Sequence, residues 1–480
     1  MFLIAESPHN QIQFRSDTML ATLALTLLIN QERLGFGDPA PRAALENPAL
    51  EWLKSNATPF QADIPNAEEL KSIVSALDSA RVIGLGEPTH GDHQSQLFKT
   101  HTIRELVRQG KISVLMLEIN REPGAQFDAY VNEGKGDLTD LMVNSGIFSI
   151  WRTDDFANLI LWLRAHVLRT GNPIRIYGID CQDAQADIKF AVDFLKTYEP
   201  AIALKAEEEF QALLAHNENE KTIYAFIQSQ PKEEFARLTK ACDELTASLN
   251  DKKAQLEKNP GFDKALYAIK AAKQMFLAYE FEFGGQEPDF QKLPPEYFAR
   301  RDVFMAQNLV EQLGSQKAAL WAHDMHTASN IPPAFAAMGY RTIGSEIKKL
   351  INSDYISLGF AWTKGSFHAR LFKQGTPIVE AQQIPFTPHN LSCNQLGDLG
   401  EFLARLPHNR FIVDFRTADE ATKKWLALPY YRGWCGWGVD PEKWLTDPNQ
   451  EAAPTVLHDI LVYYREISPS TTWNLPPKKQ

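Results

Sequence analysis

Cysteine is scarce in this chain of 480 residues. The four cysteines, Cys181, Cys242, Cys393 and Cys435, lie far apart, and no C-x-x-C spacing occurs. Zinc ribbons and thioredoxin-like redox sites depend on that spacing, so the sequence argues against both. So little cysteine is typical of a protein in a reducing compartment, or of a secreted protein large enough to be stable without disulfides.

Long apolar runs are also lacking, since no segment reaches the roughly 18 consecutive apolar residues of a membrane-spanning helix. The most apolar stretch near the start, Met19–Ile29, resembles the middle of a signal peptide. However, Arg15 is the only arginine or lysine before it, no A-x-A site follows, and residues 30–33 are polar. We therefore expect an N-terminal helix and a cytoplasmic protein without membrane attachment, with secretion as the alternative.

Positive charge is in deficit, because 49 Lys and Arg stand against 60 Asp and Glu and give a formal net charge of −11. No basic stripe with interleaved aromatic residues is present, which argues against a nucleic-acid partner. The remaining composition, with 44% hydrophobic and 23% charged residues, is typical of a soluble globular enzyme.

Several catalytic motifs are missing as well. The chain has no G-x-S-x-G serine elbow, no G-x-x-x-x-G-K-[ST] phosphate loop and no H-E-x-x-H zinc motif. Gly84-Leu-Gly86 does not complete the dinucleotide motif G-x-G-x-x-G, because Thr89 occupies the position of the third glycine. We therefore expect no bound cofactor.

The most informative segment that is present runs from Arg81 to Gly91, with the sequence RVIGLGEPTHG. A short apolar run ends in glycines and is followed by Glu87 and His90. Open α/β sheets place their chemistry where a strand ends in such a turn. The pair offers an imidazole base with a carboxylate to orient it, although a polar loop with a helix-capping histidine would look similar.

Four apolar runs of this kind recur, and each leads into polar side chains. They are Arg81–Leu85 before Glu87 and His90, Ser113–Leu117 before Glu118, Ile174–Ile179 before Asp180, and Ala318–Ala322 before His323 and His326. Short apolar runs separated by amphipathic helical patterns are typical of parallel strands buried on both faces. We predict an α/β fold with a mostly parallel central sheet flanked by helices. The polar residues then meet at one edge of that sheet.

The remaining pattern predicts the domain organisation. Residues 1–65 form a lead-in, 66–190 and 296–480 form the α/β core, and 191–295 form a helical insertion that serves as a lid or pocket wall. The insertion could instead bury its own core and contact no ligand. Two later runs, Tyr355–Trp362 and Phe367–Phe372, predict a hairpin. The aromatic segment 430–437 could wall a substrate pocket or fill a surface position, and the sequence does not decide which.

Histidines and carboxylates gathered at one sheet edge suit acid–base hydrolysis, in which a neutral imidazole takes a proton from water. A metal site is the alternative, because His90 with His93 and His323 with His326 form two H-x-x-H pairs. For Arg152 a contact to a substrate anion or carbonyl and an ordinary ion pair, such as one with Glu118, stay equally open. Asp180 could contact substrate or simply hold a loop.

Taken in order, these motifs resemble the erythromycin esterase family over roughly residues 75 to 465. The resemblance rests on Gly86-Glu-Pro-Thr-His-Gly91 with Leu117-Glu118, Tyr130-Val131, Trp151-Arg-Thr-Asp154, Ile174–Asp180, Arg301-Asp302 with Met305-Ala306 and Asn308, Trp321-Ala-His-Asp-Met-His326, Met338-Gly339, and Tyr355 with Gly359. It implies a metal-independent hydrolase that opens a lactone ring with an activated water.

The resemblance also assigns roles by position. It implies that His90 is the general base, Glu87 its neighbouring carboxylate and Glu118 a second active-site acid. His323 and His326 would line the pocket and position substrate or assist the oxyanion. Lys99 stands where macrolide-hydrolysing members carry arginine, so it is expected to contact substrate, but it lacks the planar fork of arginine.

The sequence therefore predicts an esterase that opens a macrolide lactone or cleaves a related bulky ester, without a covalent intermediate. Its expected partner is a small-molecule ester or lactone, and its oligomeric state is left open. Two rival hypotheses are a metal-dependent hydrolase that uses the H-x-x-H pairs and a non-catalytic binding protein with the same fold.

Overall fold

The structure is a computed structural model that describes residues 39–216, 220–231, 233–280, 293–331, 333–352, 354–373, 375–444 and 451–473. The signal-like stretch Met19–Ile29 lies outside these residues. No helix in the described ranges is both long enough and apolar enough to span a bilayer.

The strands are short except for one. They are β1 (Thr58–Pro59), β2 (Val82–Leu85), β3 (Val114–Asn120), β4 (Arg175–Asp180), β5 (Ala318–Trp321), β6 (Tyr355–Leu371), β7 (Thr387–Ser392), β8 (Arg410–Asp414), β9 (Tyr430–Tyr431), β10 (Gly438–Val439), β11 (Glu451–Ala452) and β12 (Ile460–Ile467). Each of the four predicted apolar runs forms a strand, and the observed ends differ from the predicted ones by at most three residues.

Helices separate most of the strands. They are α1 (Pro39–Asn56), α2 (Lys71–Ser79), α3 (His93–Arg108), α4 (Arg121–Glu133), α5 (Leu138–Asn144), α6 (Asp154–Thr170), α7 (Gln185–Tyr198), α8 (Pro200–Glu209), α9 (Gln211–Leu214), α10 (Glu220–Ser229), α11 (Glu234–Asp251), α12 (Lys253–Leu256), α13 (Phe262–Ala278), α14 (Pro295–Leu313), α15 (Asp324–Thr327), α16 (Pro333–Ala337), α17 (Ile343–Ile351), α18 (Ile378–Ala381), α19 (Leu399–Ala404), α20 (Glu420–Leu426) and α21 (Pro454–Leu457). Single 3₁₀ turns occur at Ser149–Trp151 and Phe415–Thr417.

The central sheet is mostly parallel, which confirms the predicted fold class. Its order within the described part of the chain is β1-β8-β12-β6-β2-β5-β3-β4. The six strands from β12 to β4 run parallel to one another, whereas β8 and β1 add an antiparallel edge. Strands β7 and β10 pair with the second half of β6. Strands β9 and β11 form a separate antiparallel pair.

Both faces of the sheet are covered by helices. Ile83 and Leu85 of β2 belong to an apolar cluster with residues of α3, α4 and α6, whereas Val82 belongs to a second cluster with residues of α14 and α17. Successive side chains of a strand point to opposite faces of the sheet. Because both faces are buried, the parallel strands are continuous apolar runs in the sequence. The carboxyl ends of β2, β3 and β5 consequently lie side by side.

The predicted hairpin in 355–372 is wrong, because β6 continues unbroken through Thr363-Lys-Gly-Ser366. Gly365 has φ 143°, and a side chain there would collide with the carbonyl oxygen of Ile467 on β12. The same glycine is paired with Leu391 on β7. It is therefore required by the close approach of a neighbouring strand and does not form a turn.

In the described residues between β4 and β5, the elements of regular secondary structure are the helices α7 to α14. Residues of this stretch, including Phe210, Phe235 and Phe276, form an apolar cluster separate from the sheet clusters. Tyr224 of α10 and Tyr279, after α13, also line a cavity at the sheet edge. The boundaries 191–295 for an inserted unit remain a prediction.

Candidate active site

An open cavity of about 360 Å³ lies at the carboxyl edge of the sheet. It falls within the size range of small-molecule sites. Four of the predicted site residues line it: His90, Glu118, His323 and His326. Segments that are far apart in the sequence therefore meet at one cavity, as the strand-end pattern predicts.

Glu87 and His90 form a hydrogen-bonded pair in the loop after β2. Glu87 Oε1 lies 2.5 Å from His90 Nδ1, and both side chains are buried. The loop can lie this deep because Gly86 lacks a side chain, which would otherwise collide with the carboxylate of Asp324. The main-chain N–H of Asp324 donates to the carbonyl oxygen of Glu87 at 2.9 Å, which holds the loop against α15.

The other oxygen of Glu87 is held by Lys99 and Trp321. Lys99 Nζ donates to Oε2, and Trp321 Nε1 donates to the same oxygen at 3.1 Å. Burial by itself would raise the pKa of Glu87, but the charge of Lys99 and the hydrogen bond with His90 outweigh burial and lower this pKa to about 2. Glu87 is therefore a carboxylate throughout the neutral range.

Lys99, predicted to contact substrate, lies behind Glu87 and does not line the cavity. Its side chain has no exposed surface, and its ammonium lies 4.1 Å from the centroid of the Trp321 ring. Burial lowers the pKa of Lys99, and the nearby Glu87 opposes this. The position of Lys99 indicates an electrostatic effect on Glu87, because no surface is left for a substrate contact in this conformation.

The bond to Glu87 determines which nitrogen of His90 is available. An ionised carboxylate only accepts, so Nδ1 of a neutral His90 carries the proton and Nε2 carries the lone pair. Nε2 has no hydrogen-bond partner among the described residues, and His90 lines the cavity. The ring of His90 thus lies where water and substrate can enter.

Glu118 of β3 organises the charged groups of the cavity wall. Its Oε1 accepts from Arg301 Nη2 at 2.9 Å, and its Oε2 accepts from the main-chain N–H of His323 at 2.9 Å. Burial would raise the pKa of Glu118, but His326 and Arg301 hold it well below its ordinary value. Glu118 is therefore an anion that fixes cations in place, and the suggested ion pair with Arg152 is not the one observed.

Asp180 acts through Arg301. Arg301 Nε and Nη2 donate to the two carboxylate oxygens of Asp180 at 2.9 and 2.7 Å, and this bidentate contact fixes the plane of the guanidinium. Asp180 is buried and does not line the cavity, whereas Arg301 is partly exposed and does. The guanidinium can therefore reach a bound molecule, and Asp180 orients it.

His326 is placed to carry a fixed positive charge. Its Nδ1 lies 2.9 Å from both oxygens of Asp302, and its Nε2 lies 3.2 Å from Glu118 Oε1. Burial would lower the pKa of His326, but the two carboxylates outweigh burial and raise it to about 10. At neutral pH His326 is an imidazolium, so it can stabilise negative charge but cannot act as a base.

His323 is neutral, and both of its ring nitrogens are in use. Nδ1 accepts from the main-chain N–H of Met325 at 3.2 Å, so Nε2 carries the proton and donates to the carbonyl oxygen of Pro88 at 3.2 Å. Burial and the neighbouring histidines lower the pKa of His323 to about 3. Its ring centroid lies 5.2 Å from that of His90, so the two histidines line the cavity next to each other.

Two further sequence predictions concern Arg152 and the aromatic segment 430–437. Arg152 donates from Nη2 to the carbonyl oxygen of Ile147 at 2.9 Å and does not line the cavity. Trp437 does line it, whereas Tyr430 is buried against Trp425 and Glu46. The aromatic segment thus contributes to both the pocket and the core.

The sequence interpretation missed several residues of the site. Gln182, Tyr224, Tyr279 and Arg370 line the cavity but were not among the predicted site residues, and Trp321 and Asp302 contact residues that were. Arg301 and Asp302 were noticed only as a part of the family resemblance. Apart from that resemblance, no local pattern marks them, because neighbouring opposite charges are ordinary on the polar face of an amphipathic helix.

The two H-x-x-H pairs do not act as two matched sets of ligands. His93 Nδ1 lies 2.7 Å from Asp155 Oδ2, and His93 does not line the cavity, unlike His90. His323 has both ring nitrogens in hydrogen bonds. In the ranges that the structure describes, no three His, Cys, Asp or Glu side chains form a group that could hold a metal ion.

The charge on His326 leads to a prediction about stability. Its folded-state pKa of about 10 lies above the ordinary 6.5, so its stabilisation is fully present below about pH 6.5 and is lost as the pH rises through about 10. We expect Asp302→Asn to lose roughly 1.5–3 kcal/mol at pH 7, a typical cost for a charged hydrogen bond. We also expect this loss to shrink between pH 8 and 10.

Urea unfolding at several pH values measures this effect. Asp243→Asn is the matched control, because Asp243 forms only an exposed pair with Lys273. We expect this control to change stability by less than about 1 kcal/mol. An Asp302→Asn loss that is the same at pH 7 and pH 10 would contradict a charged His326.

Known proteins resemble this chain over most of its length. Residues 107–467 match the erythromycin esterase family. The YbfO protein of Bacillus subtilis (strain 168) is 23% identical over 64% of this chain and 70% of its own length. Erythromycin esterase type II of Escherichia coli is 22% identical over 66% of this chain and 77% of its own. The structure of an erythromycin esterase mutant in an open conformation superposes with a TM-score of 0.65, covering 88% of this chain and 99% of that one at 14% identity. That likeness shows a shared fold.

Proposed function

This chain belongs to the erythromycin esterase family, and from that premise we propose that it hydrolyses a bulky ester or lactone with a water molecule activated by His90. Family membership supports a hydrolase. The observation that carries the finer proposal is the pairing of His90 Nδ1 with Glu87 while the ring lines an open cavity.

In the proposed reaction, His90 Nε2 takes a proton from water as the water oxygen attacks the ester carbonyl. The resulting imidazolium is stabilised by the carboxylate of Glu87, which stays ionised because Lys99 lies against it. The same imidazolium can then return its proton to the leaving alkoxide. General-base assistance of this kind is typically worth about a hundred- to ten-thousandfold in rate.

The charge that develops on the carbonyl oxygen needs a donor elsewhere in the cavity wall. Arg301 and His326 both line the cavity and both carry positive charge, and Glu118 holds them together. Preorganised donors of this type are worth about two to three orders of magnitude in kcat. We assign the oxyanion contact to Arg301, whose Nη1 is not bonded to a carboxylate. His326 adds positive charge beside it, because both of its ring nitrogens already face carboxylates. Glu118 accepts three hydrogen bonds, so it is a poor nucleophile and has a positioning role.

The cavity suits a large and partly apolar substrate. Phe148, Ile150, Ile378 and Trp437 line it together with the polar and charged groups. A macrolide of the erythromycin type is therefore our first candidate, and other bulky esters follow. Lys99 stands where macrolide-hydrolysing members carry arginine, and it contacts Glu87 instead of the cavity. We therefore expect this difference to affect the rate of hydrolysis more than the choice of substrate.

Mass spectrometry after incubation with macrolides and with simple bulky esters tests this proposal. We expect a mass gain of one water on a lactone, or cleavage of an ester into acid and alcohol. Activity should survive dialysis against a chelator and should be lost in His90→Ala. A full panel without turnover, or turnover that needs added metal after dialysis, would contradict it.

A further inference from the structure

We propose that Trp321 is a positioning residue that holds the Glu87 carboxylate in the orientation which presents Oε1 to His90. This inference deepens the proposed function and rests on it. Trp321 does not line the cavity, and its position at the end of an apolar strand would otherwise mark it as an ordinary core residue.

The register of the sheet places the indole next to the catalytic loop. Trp321 is the last residue of β5 and pairs with Leu85 of β2 on one side and with Leu117 of β3 on the other. Glu87 follows Leu85 by two residues, and Glu118 directly follows Leu117. A side chain at this position therefore lies next to the start of the loop that carries Glu87.

The indole contacts both members of the Glu87–Lys99 ion pair. Its N–H donates to Glu87 Oε2 at 3.1 Å, and its ring face lies 4.1 Å from the ammonium of Lys99. Indole nitrogen only donates, so Oε2 of Glu87 is the acceptor in this contact. With Lys99 and Trp321 on Oε2, the other oxygen is left for His90 Nδ1.

The indole itself is held by neighbouring aromatic rings. Its centroid lies 5.6 Å from that of Trp151 and 6.1 Å from that of Phe156, and the side chain is buried. A flexible ammonium can follow a rotating carboxylate, but a packed indole N–H has one direction. We infer that Trp321 supplies the directional restraint and Lys99 supplies the charge.

Replacing the indole by a phenyl ring removes the N–H while keeping an aromatic side chain. We expect Trp321→Phe to lower kcat by roughly tenfold, the effect of one charged hydrogen bond, with KM changed by less than about twofold. We also expect ¹⁵N NMR of labelled histidine to show a larger share of the Nε2–H tautomer of His90 than in the wild type. The NMR measurement needs no substrate, so it tests this inference even if the proposed reaction fails.

Trp362→Phe is the matched control. Trp362 is equally buried, but its Nε1 donates to the carbonyl oxygen of Gly433 at 3.1 Å, and it does not line the cavity. This control should lose stability without changing kcat or the His90 tautomer. Equal effects of both substitutions on kcat, or an unchanged tautomer in Trp321→Phe, would overturn the inference.

Discussion

Replacing His90 by alanine is expected to lower kcat for ester hydrolysis by roughly a hundred- to ten-thousandfold, because neither of the other two histidines that the structure places at the cavity can take its place. His323 uses both ring nitrogens in hydrogen bonds, and His326 is a cation whose pKa is raised to about 10. Steady-state kinetics across pH, with folding checked by thermal unfolding, measure the loss. His90→Gln keeps a polar side chain at this position, so it separates the loss of the imidazole from the effect of the empty space that alanine leaves.

His93→Ala is the control for this experiment. It removes a histidine from the same stretch of chain, but His93 pairs with Asp155 and does not line the cavity. We expect its activity to stay within about twofold of wild type. If His90→Ala and His90→Gln keep more than about a tenth of the activity, then His90 is not the base.

The second large effect is expected from Lys99→Met. This substitution leaves the buried carboxylate of Glu87 without its counter-charge, and breaking a buried pair typically costs about 3–5 kcal/mol. The pKa of Glu87 should rise from about 2. In the wild type, the depressed pKa stabilises the fold above about pH 4.5, and this stabilisation is lost as the pH falls towards 2. The variant should lack most of that pH dependence.

Denaturant unfolding between pH 3 and pH 7 measures this difference, with Lys111→Met as control. Lys111 pairs with Asp78 at the surface, so its loss should cost less than about 1 kcal/mol. Lys99→Arg, which restores the charge, should recover part of the stability if the larger head fits. A Lys99→Met protein as stable as Lys111→Met would show that the pair contributes little.

The strand ends were predictable because they depend on local pattern. Apolar runs followed by Glu87, Glu118 and His323 could be recognised one at a time, and parallel strands necessarily bring their carboxyl ends to one edge. Composition and order of motifs also sufficed to indicate the fold class and the family.

The partners of these residues could not be predicted, because they depend on packing across the sheet. Arg301 lies within α14, and only the packing of that helix against β4 brings it to Asp180. Lys99 is in α3, and its direction relative to Glu87 depends on how that helix turns back beneath the loop. Trp321 is indistinguishable from an ordinary core residue in the sequence, because only the N–H edge of its buried ring contacts Glu87.

The hairpin error has a related cause. A glycine after a lysine within two apolar runs is a usual turn signal, but Gly365 is needed because β12 passes too close for a side chain. A sequence cannot distinguish a glycine that turns the chain from one that admits a neighbour, since the neighbour is about a hundred residues away.

Direct attack by water is the central claim, and single-turnover hydrolysis in water enriched in oxygen-18 tests it most directly. The protein, in excess over an ester substrate, is quenched in acid and analysed by intact mass and by peptide mapping. We predict that the acid product carries the heavy oxygen and that the protein keeps its original mass at every time point. A transient protein species heavier by the acyl group, or heavy oxygen in the peptide that contains Glu118, would contradict it.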